Sequence, residues 1–109
     1  MEQYKKIFSE QDDPKKKMVL WDGTSIKVVN GEEVRNDKIV EFAGGGHGYV
    51  YKEIPKDEIW VEHMVSKEDM QDILIHEITE YIFMKYAQYK YEDAHKIAND
   101  IEQAIRTIK

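Results

Sequence analysis

The chain has no cysteine, so the side chains able to hold a transition metal or move a proton near neutral pH are its four histidines and its carboxylates. One short segment concentrates them: His76-Glu77-Ile-Thr-Glu80. On a helix each residue advances about 100°, which sets His76 and Glu80 within roughly 40° of each other and Glu77 roughly 60° beyond Glu80. The three groups form one polar stripe. Ile73 and Met84 fall inside that stripe, one turn before and one turn after it, and the rest of the segment is mostly Leu, Ile, Tyr and Phe. A solvated face would not be bracketed in this way. The pattern therefore directs an imidazole and two carboxylates into a cleft, where a carboxylate is costly unless it is paired or metal-bound. Both a metal centre and a buried polar network satisfy that condition.

Two ligand-type residues at i and i+4, with a glutamate directly after the first, resemble the H-E-x-x-H arrangement of the zincin metallopeptidases. The likeness is closer to small uncharacterised metallopeptidase-like proteins of phages and prokaryotes, which carry H-E-x-x-E followed by a Tyr-x-x-x-His segment; here these are His76 to Glu80 and Tyr91-Glu-Asp-Ala-His95. It covers about residues 58 to 103 and implies a zinc ion held by His76, Glu80 and His95, with Glu77 as general base. Carboxylate oxygen ligates zinc as imidazole nitrogen does, so the ligand set keeps two His and one Glu with the helices exchanged. The resemblance further implies that Glu58-Ile-Trp-Val-Glu62 is an edge strand holding an extended peptide or protein substrate. His47 and His63 are the reserve candidates, His47 as oxyanion donor or alternative ligand. Glu102 is either an acceptor behind the ligands or a solvated residue.

Several elements must position these groups. Ser66-Lys-Glu-Asp69 has the form of a capping box, so a helix is expected from about Lys67 to about Gln88. A second follows near 91 to 108, where Ala94, Ile97, Ala98, Ile101, Ala104, Ile105 and Ile108 recur at three- and four-residue spacing and should form core. Upstream, Met18 to Trp21, Ser25 to Val29, Lys38 to Phe42, Tyr49 to Tyr51 and Glu58 to Glu62 read as short strands. Asp22-Gly23 and Asn30-Gly31 are turn formers suited to antiparallel hairpins. Alternation sets Ile59 and Val61 on one face and Glu58, Trp60 and Glu62 on the other. Gly44-Gly-Gly-His-Gly48 reads as a flexible hairpin, without the Lys-Ser/Thr of a phosphate-binding loop. The expected class is α+β: a small antiparallel or mixed sheet followed by two C-terminal helices, zincin-like.

At 109 residues and 41% apolar content the chain is sized for one modest core. Residues 18–109 are expected to form that domain, with residues 1–17 a polar arm or short helix. A formal net charge of -6 argues against a nucleic-acid backbone as partner, since phosphate neutralisation needs clustered Lys and Arg and only Lys15-Lys-Lys17 forms a run. No window approaches the roughly 18 apolar residues of a membrane span, so a cytoplasmic protein is expected. The functions that follow are a zinc peptidase, a metal-dependent hydrolase of another substrate, or a non-catalytic protein-binding module, with an acidic surface for a basic partner, whose His/Glu cluster is structural.

Overall fold

A computed structural model describes residues 18–64 and 66–108; the expected N-terminal arm lies outside the described residues. The element order is β1 (Ser25–Val29), α1 (Gly31–Asp37), β2 (Gly45–His47), β3 (Glu58–Glu62), α2 (Lys67–Tyr86) and α3 (Tyr91–Ile108). This is an α+β fold with a mixed three-stranded sheet in the order β1-β3-β2. β1 runs parallel to β3, pairing Ser25 with Glu58 and Val29 with Glu62. β2 runs antiparallel, pairing Gly45 with Val61 and His47 with Ile59. No described helix is long and apolar enough to cross a membrane.

Several expectations are corrected by this topology. Asn30-Gly31 does not close a hairpin: the Asn30 side chain caps α1 by accepting from the Glu33 N–H at 3.1 Å, and Glu32 and Glu33 favour the positive end of the helix. A parallel neighbour cannot be reached through a two-residue turn, so the chain needs a crossover there. Lys38 to Phe42 is likewise no strand. Its buried residues, Ile39 and Phe42, are three apart, while Val40 points to solvent at 80% exposure. Tyr49 to Tyr51 is a turn, tied back by the Val50 and Tyr51 amides donating to His47 O. Met18 to Trp21 shrinks to a single bridge, Val19 to Ser25, although Asp22-Gly23 does reverse the chain, with Gly23 at φ 89°.

A further correction concerns β3, which is the central strand and not an edge. Both faces of the sheet are covered. Val61 packs with Met70, Ile26, Val28 and Ile73 on the α2 side, while Trp60 packs with Val34, Ile39, Phe42 and Ile54 on the α1 side. Trp60, grouped by alternation with the two glutamates, is 7% exposed; its indole N–H donates to Glu58 Oε1 at 2.8 Å. At the far end of β3, Glu62 receives both guanidinium nitrogens of Arg35 at 3.0 and 2.9 Å and the Gly44 N–H at 3.0 Å. One carboxylate thus fixes α1 and the entry to β2.

The glycine segment expected to be a flexible hairpin is a buried strand. Its residues are glycines because helix and loop press on it from both sides: a Cβ at Gly45 would lie 2.9 Å from Glu77 Cγ and 3.0 Å from Trp60 O, and one at Gly46 would meet the Tyr51 ring at 2.7 Å. Gly44 enters the strand at φ 77°, a conformation costly for other residues.

α2 begins where expected, with Ser66 Oγ accepting from the Asp69 N–H at 3.1 Å. It ends at Tyr86, and Gln88 takes a left-handed φ of 60° that turns the chain into α3. α3 packs chiefly on α2, and only Ala94 and Ala98 of its expected core face are buried. The small pair lets the two helices approach closely. Ile101 and Ile108 are exposed, contrary to the expected Ile/Ala core, because α3 has one principal neighbour.

Tyr81, wholly buried, ties α2 to the loops beneath the sheet. Its hydroxyl donates to Lys56 O at 2.7 Å and lies 2.9 Å from Thr24 Oγ1. Replacing Tyr81 with Phe leaves that carbonyl without its partner, a loss of about 1–3 kcal/mol for a buried acceptor. Tyr81→Phe should therefore lower the thermal midpoint by several degrees; an unchanged midpoint by circular dichroism would show that the tether contributes nothing.

Candidate metal centre

The stripe read from the sequence faces a cleft of about 250 Å³ between α2, α3 and the β2 segment. Ile73, His76, Glu77 and Glu80 line it from α2; Tyr91, His95 and Glu102 from α3; Ala43, Gly44 and Gly45 from the opposite wall. On α3 the spacings of four and seven residues put Tyr91, His95 and Glu102 on one stripe. The αα-hairpin turns that stripe toward His76.

Three ligand-type atoms converge there. His76 Nε2 lies 3.3 Å from His95 Nδ1 and 3.3 Å from Glu80 Oε2, and Glu80 Oε2 lies 2.9 Å from His95 Nδ1. Bonds of ~2.0–2.1 Å to a tetrahedral ion place ligand atoms roughly 3.3 Å apart, so the spacing suits a small four-coordinate cation. His76 Nδ1 sits 3.0 Å from Glu102 Oε1. With a cation among the three atoms, a proton on Nδ1 shared with that carboxylate would leave the Nε2 lone pair free to ligate it, the arrangement usual behind a metal-bound imidazole; without a cation, Nε2 carries the proton that the Glu80 carboxylate accepts. Glu102 is in turn held by Arg106, 3.0 Å from its other oxygen.

His47 stands apart from the three. Its Nε2 is 2.9 Å from Glu80 Oε1, and the Tyr49 N–H donates to its Nδ1 at 3.2 Å. With Nδ1 accepting, the ring proton is on Nε2 and is donated to Glu80. His47, Glu77 and Glu80 are close enough together to hold an ion, but Nε2 with its proton offers no lone pair for one. His63, the other reserve candidate, does not line the cleft; its amide donates to Val29 O beyond the end of β3. The placement of His47 had one signal in the sequence, its position two residues from Gly45 and hence on the same strand face. That signal is legible only once the glycine segment is known to be a strand.

Charge separates the two carboxylates of the motif. Burial pushes the Glu80 carboxyl up, but hydrogen bonds from His47, His76 and His95 outweigh it and hold the group down to about 2. Glu77, one helical turn away, has no hydrogen-bond partner among the described residues. Burial first, then the Glu80 charge, pushes it up to about 8. The His76 imidazole is raised by its contact with Glu80, against the effect of its own burial. Burial and then Glu77 raise the Tyr51 phenol, while burial and then Glu80 raise that of Tyr91.

No protein-family model, curated protein or solved structure matches this chain. The chemistry is accordingly argued from this geometry alone. Two carboxylates of one helix whose environments drive them apart, one ionised among imidazoles and one without a hydrogen-bond partner among the described residues, are chemically suited to different tasks: the first could hold a cation, the second could exchange a proton.

A pH dependence follows for the metal-free protein. The folded value of Glu77, about 8, lies above its ordinary 4.5, so its contribution to stability is full below 4.5 and is lost as pH rises through about 8. His76 acts in the same direction above its ordinary 6.5. Glu80 acts oppositely, but only as pH falls from 4.5 toward about 2. With chelator present, the protein should lose several kcal/mol between about pH 5 and about pH 9, at up to ~1.4 kcal/mol per pH unit from Glu77. Glu77→Gln should remove most of that slope. Equal urea midpoints at the two pH values in wild type would contradict the assignment.

Proposed function

We propose that this protein is a zinc-dependent hydrolase of peptide bonds, with His76, Glu80 and His95 as metal ligands and Glu77 as general base. The observation that carries the reading is the convergence of His76 Nε2, Glu80 Oε2 and His95 Nδ1 at 2.9 to 3.3 Å. Beside them Glu77 lies buried at the cleft, without a hydrogen-bond partner among the described residues. Zinc supplies Lewis acidity, polarising a carbonyl and bringing the pKa of a bound water toward ~7.

The chain's own residues would do the rest. Glu77 accepts the proton of the attacking water and delivers it to the departing amine, and a nearby cation favours the ionised form this needs. Glu102 keeps the His76 proton on Nδ1. Tyr51 and Tyr91, both cleft-lining, stay protonated through the neutral range and can donate hydrogen bonds. The substrate is proposed to be a peptide or protein of the cytoplasm, entering beside Ala43, Gly44 and Gly45. β2 stands at the edge of the strand order, unlike the central β3, but all three of its residues are buried, so the strand-addition role expected of Glu58 to Glu62 is not carried over to it.

A second reading has its own observation: 2.9 Å between Glu80 and His95 is also an ordinary hydrogen bond. On that reading the cluster is a proton-bearing scaffold and the protein a binding module.

Metal analysis of protein purified without a chelating column separates the two. The zinc reading expects one ion per chain, lost in His76→Ala. Glu77→Gln should retain the ion while hydrolysis of a susceptible peptide falls about 10²- to 10⁴-fold. Zinc absent from wild type even after reconstitution would leave the scaffold reading standing; equal activity in wild type and Glu77→Gln would remove Glu77 as base.

A further inference from the structure

We propose that His47 is a positioning residue that makes Glu80 a one-oxygen ligand, holding Oε1 in a hydrogen bond while Oε2 faces the metal site. The proposal rests on the metal reading above and concerns the one histidine of the cluster that the ligand set does not use. A carboxylate offers two oxygens, and with both free it can chelate an ion through either or both. Here the two are divided. Oε2 faces His76 and His95, while Oε1 is taken by the His47 Nε2–H at 2.9 Å.

The donor is itself held rigidly. His47 is wholly buried, and its backbone is paired with Ile59 in the sheet. Its Nδ1 accepts from the Tyr49 amide, and its ring stands edge-on to Tyr81 at 5.5 Å and 81°. Strand and helix are matched in register: on one face of β2, Gly45 meets Glu77 and His47 meets Glu80. Two residues of strand thus address the base and the ligand separately. Gly45 yields space to Glu77, and His47 fixes the Glu80 carboxylate plane. A hydrogen bond of this kind behind a ligand typically changes metal affinity 10- to 100-fold when removed.

Cobalt(II) binding tests the proposal, because its visible absorption reports coordination number. His47→Leu removes the donor, and His47→Gln offers an amide N–H in place of Nε2–H. His47→Leu should bind cobalt about 10- to 100-fold more weakly, with the weaker bands of a higher-coordinate ion as Oε1 joins the metal. His47→Gln should return both affinity and spectrum toward wild type. Wild-type affinity and spectrum in His47→Leu would overturn the positioning role while leaving the metal centre intact. Failure of wild type to take up cobalt or zinc would overturn the metal centre, and this proposal with it. Should His47→Leu not fold, nitrogen-15 NMR of the wild-type ring decides: a proton on Nε2 with a bare Nδ1 supports the proposal, and the opposite tautomer overturns it.

Discussion

Glu80 is 3% exposed, and a carboxylate removed from water to that degree must find its compensation inside the protein. It does so from three elements at once: His47 on β2, His76 on its own helix and His95 on α3. Each partner comes from a different part of the chain, so the contact specifies how α2 lies against the sheet and how α3 lies against α2. Removing any one imidazole would leave part of a buried charge without its donor, a larger loss than an ordinary hydrogen bond.

Reaching Glu80 from the sheet requires the backbone of β2 to approach α2 closely, and the glycines make that possible. Gly45 has no side chain to keep Glu77 and Ile73 away, and Gly46 has none to keep away Tyr51 and Ile54 on the other face. The entry to the strand is pinned from outside by Glu62, which also holds Arg35 of α1. Tyr81, next to Glu80 on α2, anchors the helix through Lys56 O and packs its ring nearly perpendicular to that of His47. Position at the site is therefore inherited from the sheet, through main-chain contacts that leave little freedom to side-chain rotation.

What the sequence revealed and what it concealed divide along local and non-local lines. The extent of α2, the capping by Ser66 and the stripe of His76, Glu77 and Glu80 are written in helical spacing, and the structure places all three residues on the cleft wall. His95 was identified by resemblance, and the turn at Gln88 brings it to 3.3 Å from His76. The strands were harder because period-two alternation over five residues is a weak signal and glycines carry none. Lys38 to Phe42 holds three strand-forming apolar residues in five, yet the residues it buries, Ile39 and Phe42, follow the chain leaving α1. Asn30-Gly31 is as good a helix cap as a hairpin turn, and only the parallel pairing of β1 with β3 decides between them. The burial of Trp60 depends on α1, which the alternation within β3 does not report.

The asymmetry between Glu77 and Glu80 follows from their positions and needs no difference in chemistry. Three residues apart, they turn about 300°, or 60° the other way, enough for Glu80 to point at the histidines and Glu77 at the space above Gly45. The first is surrounded by donors and remains ionised despite burial; the second has burial without donors and holds its proton until about pH 8. Glu77 depends on Glu80, whose charge adds to what raises it. A cation among His76, Glu80 and His95 would reverse that contribution, because it offsets the Glu80 charge and adds positive potential beside Glu77. Ionisation of Glu77 would then be coupled to occupancy of the site, so that a base is produced where and when a Lewis acid is present. Without a cation the coupling is not exercised, and Glu77 is then a buried acid that holds its proton at neutral pH.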